Sequence, residues 1–267
     1  MANRSRLLKT VLIDLSGTLH VGNEITPSAV EALEKLRQHN LKIKFVTNTT
    51  KESRRILFER LCKLGFNIKN DEIWSSLWAA RDTVASRSLK PHLLVSSDAL
   101  EDFKGLTDFE GEPNAVVVGL APEHFHYESL NKAFRLLLDG AILIAIHEAR
   151  YYKSEDSHLA LGPGPFVKAL EYAAGCKAEV LGKPCPEFFR TGLEGVAAEE
   201  AVMIGDDARD DIQGAQALGM RGYLVKTGKY RQGDESKINP PPYQTVDNFA
   251  AAVEDILKEI KHQKESA

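Results

Sequence analysis

The sequence predicts an α/β fold in which a core built on a parallel sheet is interrupted by an inserted α/β domain. Short apolar runs alternate with helical patterns at both ends of the chain, which is typical of parallel strands joined by helical crossovers. This alternation loosens after about residue 80 and returns near residue 179, which indicates an insertion. We therefore expect core segments at 1–80 and 179–267 and an inserted domain at 81–178.

The first elements follow the alternation closely. TVLID is an apolar run too short for a helix, so we expect a buried strand. ITPSAVEALEKLRQHN predicts a helix with Thr26 as its N-cap and Pro27 at the first helical position. LKIKFVTN predicts the second strand, and ESRRILFERLCKLG predicts a second helix that ends at Gly65.

The middle of the chain contains three strand-like runs, PHLLVSS, NAVVVGL and AILIAI, and two helical patterns, YESLNKAFRLLLDG and PFVKALEYAAG. Beyond them, AEVLGKP leads back to the alternation of strands and helices seen at the start of the chain. This part comprises strand AVMIGDD, helix ARDDIQGAQALG and strand GYLVKTG. An amphipathic helix that begins near Phe249 ends the pattern.

Composition excludes several classes of function. The formal net charge of −4 gives no basic excess with which to bind nucleic acid. No apolar stretch approaches the roughly 18 residues of a membrane span, and the N-terminus shows no targeting pattern. The three cysteines form no CxxC pair. We therefore expect a cytoplasmic protein without nucleic-acid or membrane partners.

Polar residues gather where strands are predicted to end. Asp14 follows VLI, Thr47 and Asn48 follow KFV, Lys183 follows EVLG, and Asp206 follows VMIG. Ligands of an open parallel sheet bind beyond the carboxyl ends of its strands, so these residues are expected to converge. One such residue alone usually caps a turn, but four in this order indicate a functional site.

These four motifs, DLSGT, VTN, GKP and GDDARDD, resemble in order the motifs of the haloacid dehalogenase-like hydrolases. The segment between the second and third motifs is similar to the cap of the 4-nitrophenylphosphatase-like branch of that family. The resemblance implies a Rossmann-like core with an inserted α/β cap. It also implies a Mg²⁺-dependent phosphatase that acts on small phosphorylated substrates, with a homodimer formed through the cap.

The resemblance further assigns roles in phosphoryl transfer. Asp14 would be the nucleophile and form an aspartyl-phosphate, which a carboxylate can do chemically. Thr47 and Asn48 would donate hydrogen bonds to the transferring phosphoryl oxygens, and the motif lysine, Lys183, would offset the charge that develops there.

The same resemblance implies a magnesium site. Asp14 and Asp206 would be ligands together with the backbone carbonyl of Ser16, and carboxylates are ligands that Mg²⁺ prefers. Asp207 would bind the metal directly or through water. Asp211, one helical turn after Asp207, would orient a metal-bound water or the motif lysine.

Three cap residues are candidates for substrate contact. In related enzymes the segment that precedes the LGPGPF turn reads the leaving group. By that analogy Tyr152, Lys153 and His158 would contact the substrate.

Ser16 departs from the family pattern, because most of its phosphatases carry a second aspartate there as proton carrier. A serine hydroxyl is a poor acid or base near neutrality. One hypothesis is a phosphatase whose substrates leave without an acid, such as P–N compounds or pyrophosphate. A second is a dehalogenase, which Asp206 and Asp207 disfavour because dehalogenases need no metal. A third is a catalytically weak or inactive phosphate- or metal-binding interaction protein.

Overall fold

The computed structural model describes residues 7–153 and 158–265. Its strands are β1 (Thr10–Ile13), β2 (His20–Val21), β3 (Glu24–Ile25), β4 (Lys42–Thr47), β5 (Ile73–Ser75), β6 (Pro91–Leu94), β7 (Ala115–Val118), β8 (Ile142–Ala145), β9 (Tyr151–Lys153), β10 (Leu159–Leu161), β11 (Glu179–Val180), β12 (Ala201–Gly205), β13 (Arg221–Val225) and β14 (Gln244–Val246). Its α-helices are α1 (Ala29–Arg37), α2 (Arg54–Lys63), α3 (Ser76–Ser86), α4 (Tyr127–Leu138), α5 (Gly164–Ala174), α6 (Pro186–Leu193), α7 (Gly214–Gln216) and α8 (Phe249–Glu265).

The chain forms two compact units. The first comprises the described residues up to Thr47, Phe58–Trp74 and the segment from Pro186 onwards, and the second comprises Asn48–Leu57 and Ser75–Cys185. The domain boundaries expected at 80/81 and 178/179 stay predictions. Across 7–153 and 158–265, no helix has both the length and the apolar character needed to cross a membrane.

A six-stranded sheet forms the centre of the first unit, in the order β14-β13-β12-β1-β4-β5. The pairs from β14 to β4 are parallel, and every residue of β1 and β12 is buried. A strand covered on both faces becomes uniformly apolar rather than alternating, which explains the runs TVLI and AVMIG. The predicted α/β fold with a parallel-sheet core is confirmed.

The start of α1 differs from the prediction. The helix begins at Ala29 after Ser28, which has φ 55°, so Thr26 is not its N-cap. The buried Thr26 hydroxyl instead lies 2.8 Å from the Thr18 carbonyl and 3.1 Å from the Leu19 carbonyl. This threonine stabilises the loop that follows β1, so the predicted cap was wrong.

The second unit has its own parallel sheet, in the order β11-β8-β7-β6, and an antiparallel hairpin of β9 and β10. Val180 and Ala178 pack against the core of this unit. Lys183 therefore follows a strand of the four-stranded sheet. The four predicted strand ends therefore do not all belong to one sheet, because a short apolar run does not specify which sheet it joins. The convergence of the four motif residues stays a prediction.

Candidate active site

The register of the six-stranded sheet brings two of the predicted acids to adjacent strand ends. Ile13 pairs with Ile204, and the Asp14 N–H donates to the Ile204 carbonyl at 2.9 Å. Asp14 therefore begins the loop after β1 beside Gly205, and Asp206 begins the loop after β12.

Thr47 occupies the corresponding end of β4. Ile13 pairs with Phe45, so Thr47 lies two residues further along and is 1% exposed. The buried Thr18 hydroxyl donates to Asp14 Oδ2 at 3.2 Å and so orients that carboxylate. Ser16, which lies between Asp14 and Thr18 in the sequence, is exposed and forms a backbone bridge with His20.

Three carboxylates meet at this edge and form what we call the acidic cluster, Asp14, Asp206 and Asp211. One oxygen from each lies within 4.8 Å of the others, and the residues are 5%, 2% and 1% exposed. Burial raises the pKa of Asp206 well above its usual range, and the charges of Asp14 and Asp211 add to the effect, although Lys229 opposes it. Buried like charges need a counter-charge, and an all-oxygen set fits a hard divalent cation.

Asp207 lies outside the acidic cluster and positions one of its members. Its Oδ1 accepts the N–H groups of Arg209 and Asp210 at 3.0 Å each, and so caps the π-helical turn Ala208–Gln213. Its own N–H donates to Asp211 Oδ2 at 3.1 Å. A direct hydrogen bond from backbone to carboxylate therefore joins Asp207 to Asp211, and the role predicted for Asp211 towards a metal-bound water or Lys183 stays a prediction.

Two glycines permit the loops to approach Asp206 closely. A Cβ on Gly17 would lie 2.0 Å from Asp206 Oδ2, and one on Gly228 would lie 2.1 Å from the same oxygen. Both residues have positive φ, which favours glycine. The Thr227 hydroxyl donates to the Gly17 carbonyl and so joins the loop after β13 to the turn after β1.

Lys229 is a charged neighbour of the cluster that the sequence analysis missed. Its N–H donates to Asp206 Oδ2 at 2.6 Å, and its Nζ lies 3.5 Å from Asp207 Oδ2. Burial lowers the pKa of Lys229, but the surrounding carboxylates, Asp206 and Asp207 foremost, outweigh it and raise the pKa above its ordinary value. The sequence does contain a signal that could have pointed to Lys229, because GYLVKTG is one more predicted strand that ends in polar residues.

Asn48 and Lys183 contact each other in the second unit. The Asn48 amide donates to the Lys183 carbonyl at 2.9 Å, and the Lys183 N–H donates back to Asn48 Oδ1 at 2.9 Å. A Cβ on Gly182 would lie 2.4 Å from Asn48 Oδ1, so the glycine of the GKP motif permits this pairing. Lys183 is 2% exposed.

The three cap candidates lie in or next to the hairpin of β9 and β10. Tyr152 lies in β9 and pairs with Ala160, and Lys51 Nζ lies 4.4 Å from the centroid of its ring. Lys153 ends β9, and its side chain lies outside the described part of the chain. His158 is exposed just before β10. Substrate contact by these residues stays a prediction.

Two family models match this chain. A family model described as haloacid dehalogenase-like hydrolase matches residues 11–109, and a second model of HAD-like hydrolases matches 180–252. The first match contains Asp14, Thr47 and Asn48, and the second contains Lys183 and the four aspartates from 206 to 211.

Three proteins illustrate the similarity. Haloacid dehalogenase-like hydrolase domain-containing protein 2 of Bos taurus is 60% identical over 97% of this chain and all of its own length. Phospholysine phosphohistidine inorganic pyrophosphate phosphatase of Bos taurus is 42% identical over 94% of this chain and 95% of its own length. Glycerol phosphate phosphatase from Mycobacterium tuberculosis in complex with magnesium superimposes with a TM-score of 0.77 at 26% identity, over 91% of this chain and 76% of its own. The same enzyme is also known in complex with calcium.

Proposed function

Because the chain belongs to the haloacid dehalogenase-like hydrolases and is a phosphatase of that family, we propose that it is Mg²⁺-dependent and acts through an aspartyl-phosphate on Asp14. The observation that carries the proposal is the acidic cluster, in which three buried carboxylates meet where two adjoining parallel strands end. Such a cluster costs folding free energy unless a cation compensates it, which makes a purely structural role unfavourable.

In this proposal Asp14 is the nucleophile. Its carboxylate attacks phosphorus, a new O–P bond forms, and the bond from phosphorus to the leaving group breaks. Water then cleaves the aspartyl-phosphate and restores Asp14. The Thr18 hydroxyl supports this role, because a hydrogen bond to Oδ2 fixes the carboxylate in one orientation before the attack.

We propose that Asp14, Asp206 and the Ser16 carbonyl hold the ion, with Asp211 and Asp207 in the supporting roles inferred from the sequence. When bound, a divalent cation offsets the negative charge on the phosphoryl oxygens and the nucleophile. The acidic cluster and the magnesium and calcium complexes of the glycerol phosphate phosphatase support a divalent metal, and Mg²⁺ itself is our proposal.

Roles for the other motif residues follow from the resemblance. We propose that Thr47 and Asn48 donate to the phosphoryl oxygens and that Lys183 offsets their developing charge. The mutual hydrogen bonds of Asn48 and Lys183 support the idea that these two residues act together.

Ser16 directs the choice of substrate class. Without a carboxylic acid at this position, leaving groups that need no proton from the enzyme should react best. A P–N nitrogen can carry its own proton, and pyrophosphate releases a stable anion. The phosphatase named for phospholysine, phosphohistidine and pyrophosphate is 42% identical to this chain, which supports small substrates of these kinds.

The test is a substrate panel of 4-nitrophenyl phosphate, pyrophosphate and phosphoramidates, with Mg²⁺ or with a chelator. We expect Mg²⁺-dependent turnover, with the phosphoramidates and pyrophosphate favoured. Asp14→Asn should abolish turnover and leave the fold intact. Asp210→Asn is the control, because Asp210 lies on the same helical turn as Asp211 but outside the acidic cluster, and this variant should keep its activity. Failure on every substrate while vanadate still binds would favour a non-catalytic binding protein.

A Ser16→Asp variant tests the substrate argument separately. It supplies the missing acid, so turnover of 4-nitrophenyl phosphate should rise more than turnover of phosphoramidates. Equal gains on both would contradict the role given to Ser16. Homodimerisation through the cap, a cytoplasmic location and the lack of nucleic-acid and membrane partners stay predictions of the sequence.

A further inference from the structure

The loop that follows β13 places a lysine among the acids of the first unit. Its backbone reaches Asp206 through the Lys229 N–H at 2.6 Å, and its side chain reaches Asp207 through Nζ at 3.5 Å. Thr227 and Gly228 fix the path of this loop, one by a hydrogen bond to the Gly17 carbonyl and the other by its close approach to Asp206. Main-chain contacts therefore hold Lys229 at the acidic cluster, and these contacts do not depend on its side chain.

The two kinds of contact can be separated by substitution. A change of the Lys229 side chain removes the ammonium but keeps the N–H that donates to Asp206. The side chains of Lys229 and Asp207 are only 29% and 26% exposed, so solvent screens their charges less than those of a surface pair. The charge of Lys229 should therefore be felt across the cluster.

We propose that the Lys229 ammonium is a built-in counter-charge that stabilises the metal-free acidic cluster and, by repulsion, weakens its affinity for a divalent cation. Lys229 is a positioning residue in this account, because it acts through Asp206 and Asp207. The ammonium offsets carboxylate repulsion before the metal arrives, and the same positive charge opposes a second cation nearby. The inference rests on the proposed function, because it requires the acidic cluster to be the metal site.

The chain offers a matched control on the same loop. Lys226 follows β13 directly and pairs with Asp247 at 3.2 Å, at a side chain that is 42% exposed. Lys226→Met removes one positive charge, as Lys229→Met does. It removes that charge from a pair with Asp247 and not from the acidic cluster. Lys229→Arg keeps the charge, and Lys229→Gln is a polar neutral replacement in case the methionine variant does not fold.

The experiment is Mg²⁺ binding by isothermal titration calorimetry on the full chain after metal removal, together with thermal unfolding in chelator. Lys229→Met and Lys229→Gln should bind Mg²⁺ about tenfold more tightly, because the positive charge that repels the ion has been removed. Their Tm in chelator should fall, and saturating Mg²⁺ should narrow the difference from wild type. Lys229→Arg and Lys226→Met should resemble wild type in both measurements.

The outcomes separate this inference from the proposed function. Unchanged or weaker Mg²⁺ binding in both neutral variants, or a metal-free Tm equal to that of wild type, would overturn the role of Lys229 alone. A wild-type protein that binds no Mg²⁺ would overturn the proposed metal site and this inference with it.

Discussion

Replacement of Gly228 by alanine probes how closely the loops pack on the acidic cluster. The residue has φ +56°, and an added Cβ would lie 2.1 Å from Asp206 Oδ2 and 2.4 Å from the Gly17 Cα. One of these neighbours is backbone, so the contact cannot be relieved by rotation of a side chain alone. Gly228→Ala should therefore destabilise the protein and displace the Asp206 carboxylate.

The magnitude can be worked out against a second glycine. Gly22 has φ +58°, and nothing lies within 4 Å of a Cβ built there. Left-handed backbone costs alanine about 1–2 kcal/mol, and the stiffer unfolded chain returns about 0.4–1 kcal/mol. Both glycines share these contributions. Only Gly228→Ala adds the cost of overpacking, about 1–3 kcal/mol.

Urea unfolding of the two variants, with and without Mg²⁺, measures this difference. We expect Gly228→Ala to lose about 1–3 kcal/mol more than Gly22→Ala, and to bind Mg²⁺ more weakly by calorimetry. Equal free energies of unfolding for the two variants, with Mg²⁺ affinity unchanged, would refute the close approach at Asp206.

Two further predictions concern single hydrogen-bonded groups. Thr18→Val removes the hydroxyl that donates to Asp14, so kcat should fall about tenfold or more while KM changes little, and equal kcat values in steady-state assays would contradict this role. Arg55 and Ser53 lower the pKa of Glu101 from 4.5 to about 2, so its contribution to stability is complete above pH 4.5 and lost as pH falls towards 2. Glu101→Gln should thus lower the Tm at neutral pH but not near pH 2, and a difference independent of pH would contradict it.

Much of the acidic cluster could be predicted because its residues follow strands of unmistakable pattern. TVLI and AVMIG are buried on both faces, and their pairing fixes Asp14 and Asp206 at adjoining ends. The spacing of the GDDARDD motif then predicts that Asp211 returns to the same place, and the structure brings its carboxylate into the cluster.

Other features depend on contacts that a linear pattern does not contain. Thr26 is of a residue type that often caps helices, but its hydrogen bonds to the Thr18 and Leu19 carbonyls hold it in the preceding loop. The strand before Lys183 is two residues long, and its partner is decided by packing against β8. Lys229 lies in a loop whose course depends on glycine contacts with another loop.

The central claim, phosphoryl transfer to Asp14, can be tested most directly by trapping the intermediate. The protein is mixed with Mg²⁺ and a labelled phosphoramidate or pyrophosphate, quenched in acid and digested, and the labelled peptide is identified by mass spectrometry. We predict an acyl phosphate on Asp14 that hydroxylamine releases and that Asp14→Asn does not form. A label on another residue, or turnover by Asp14→Asn at the wild-type rate, would contradict the account.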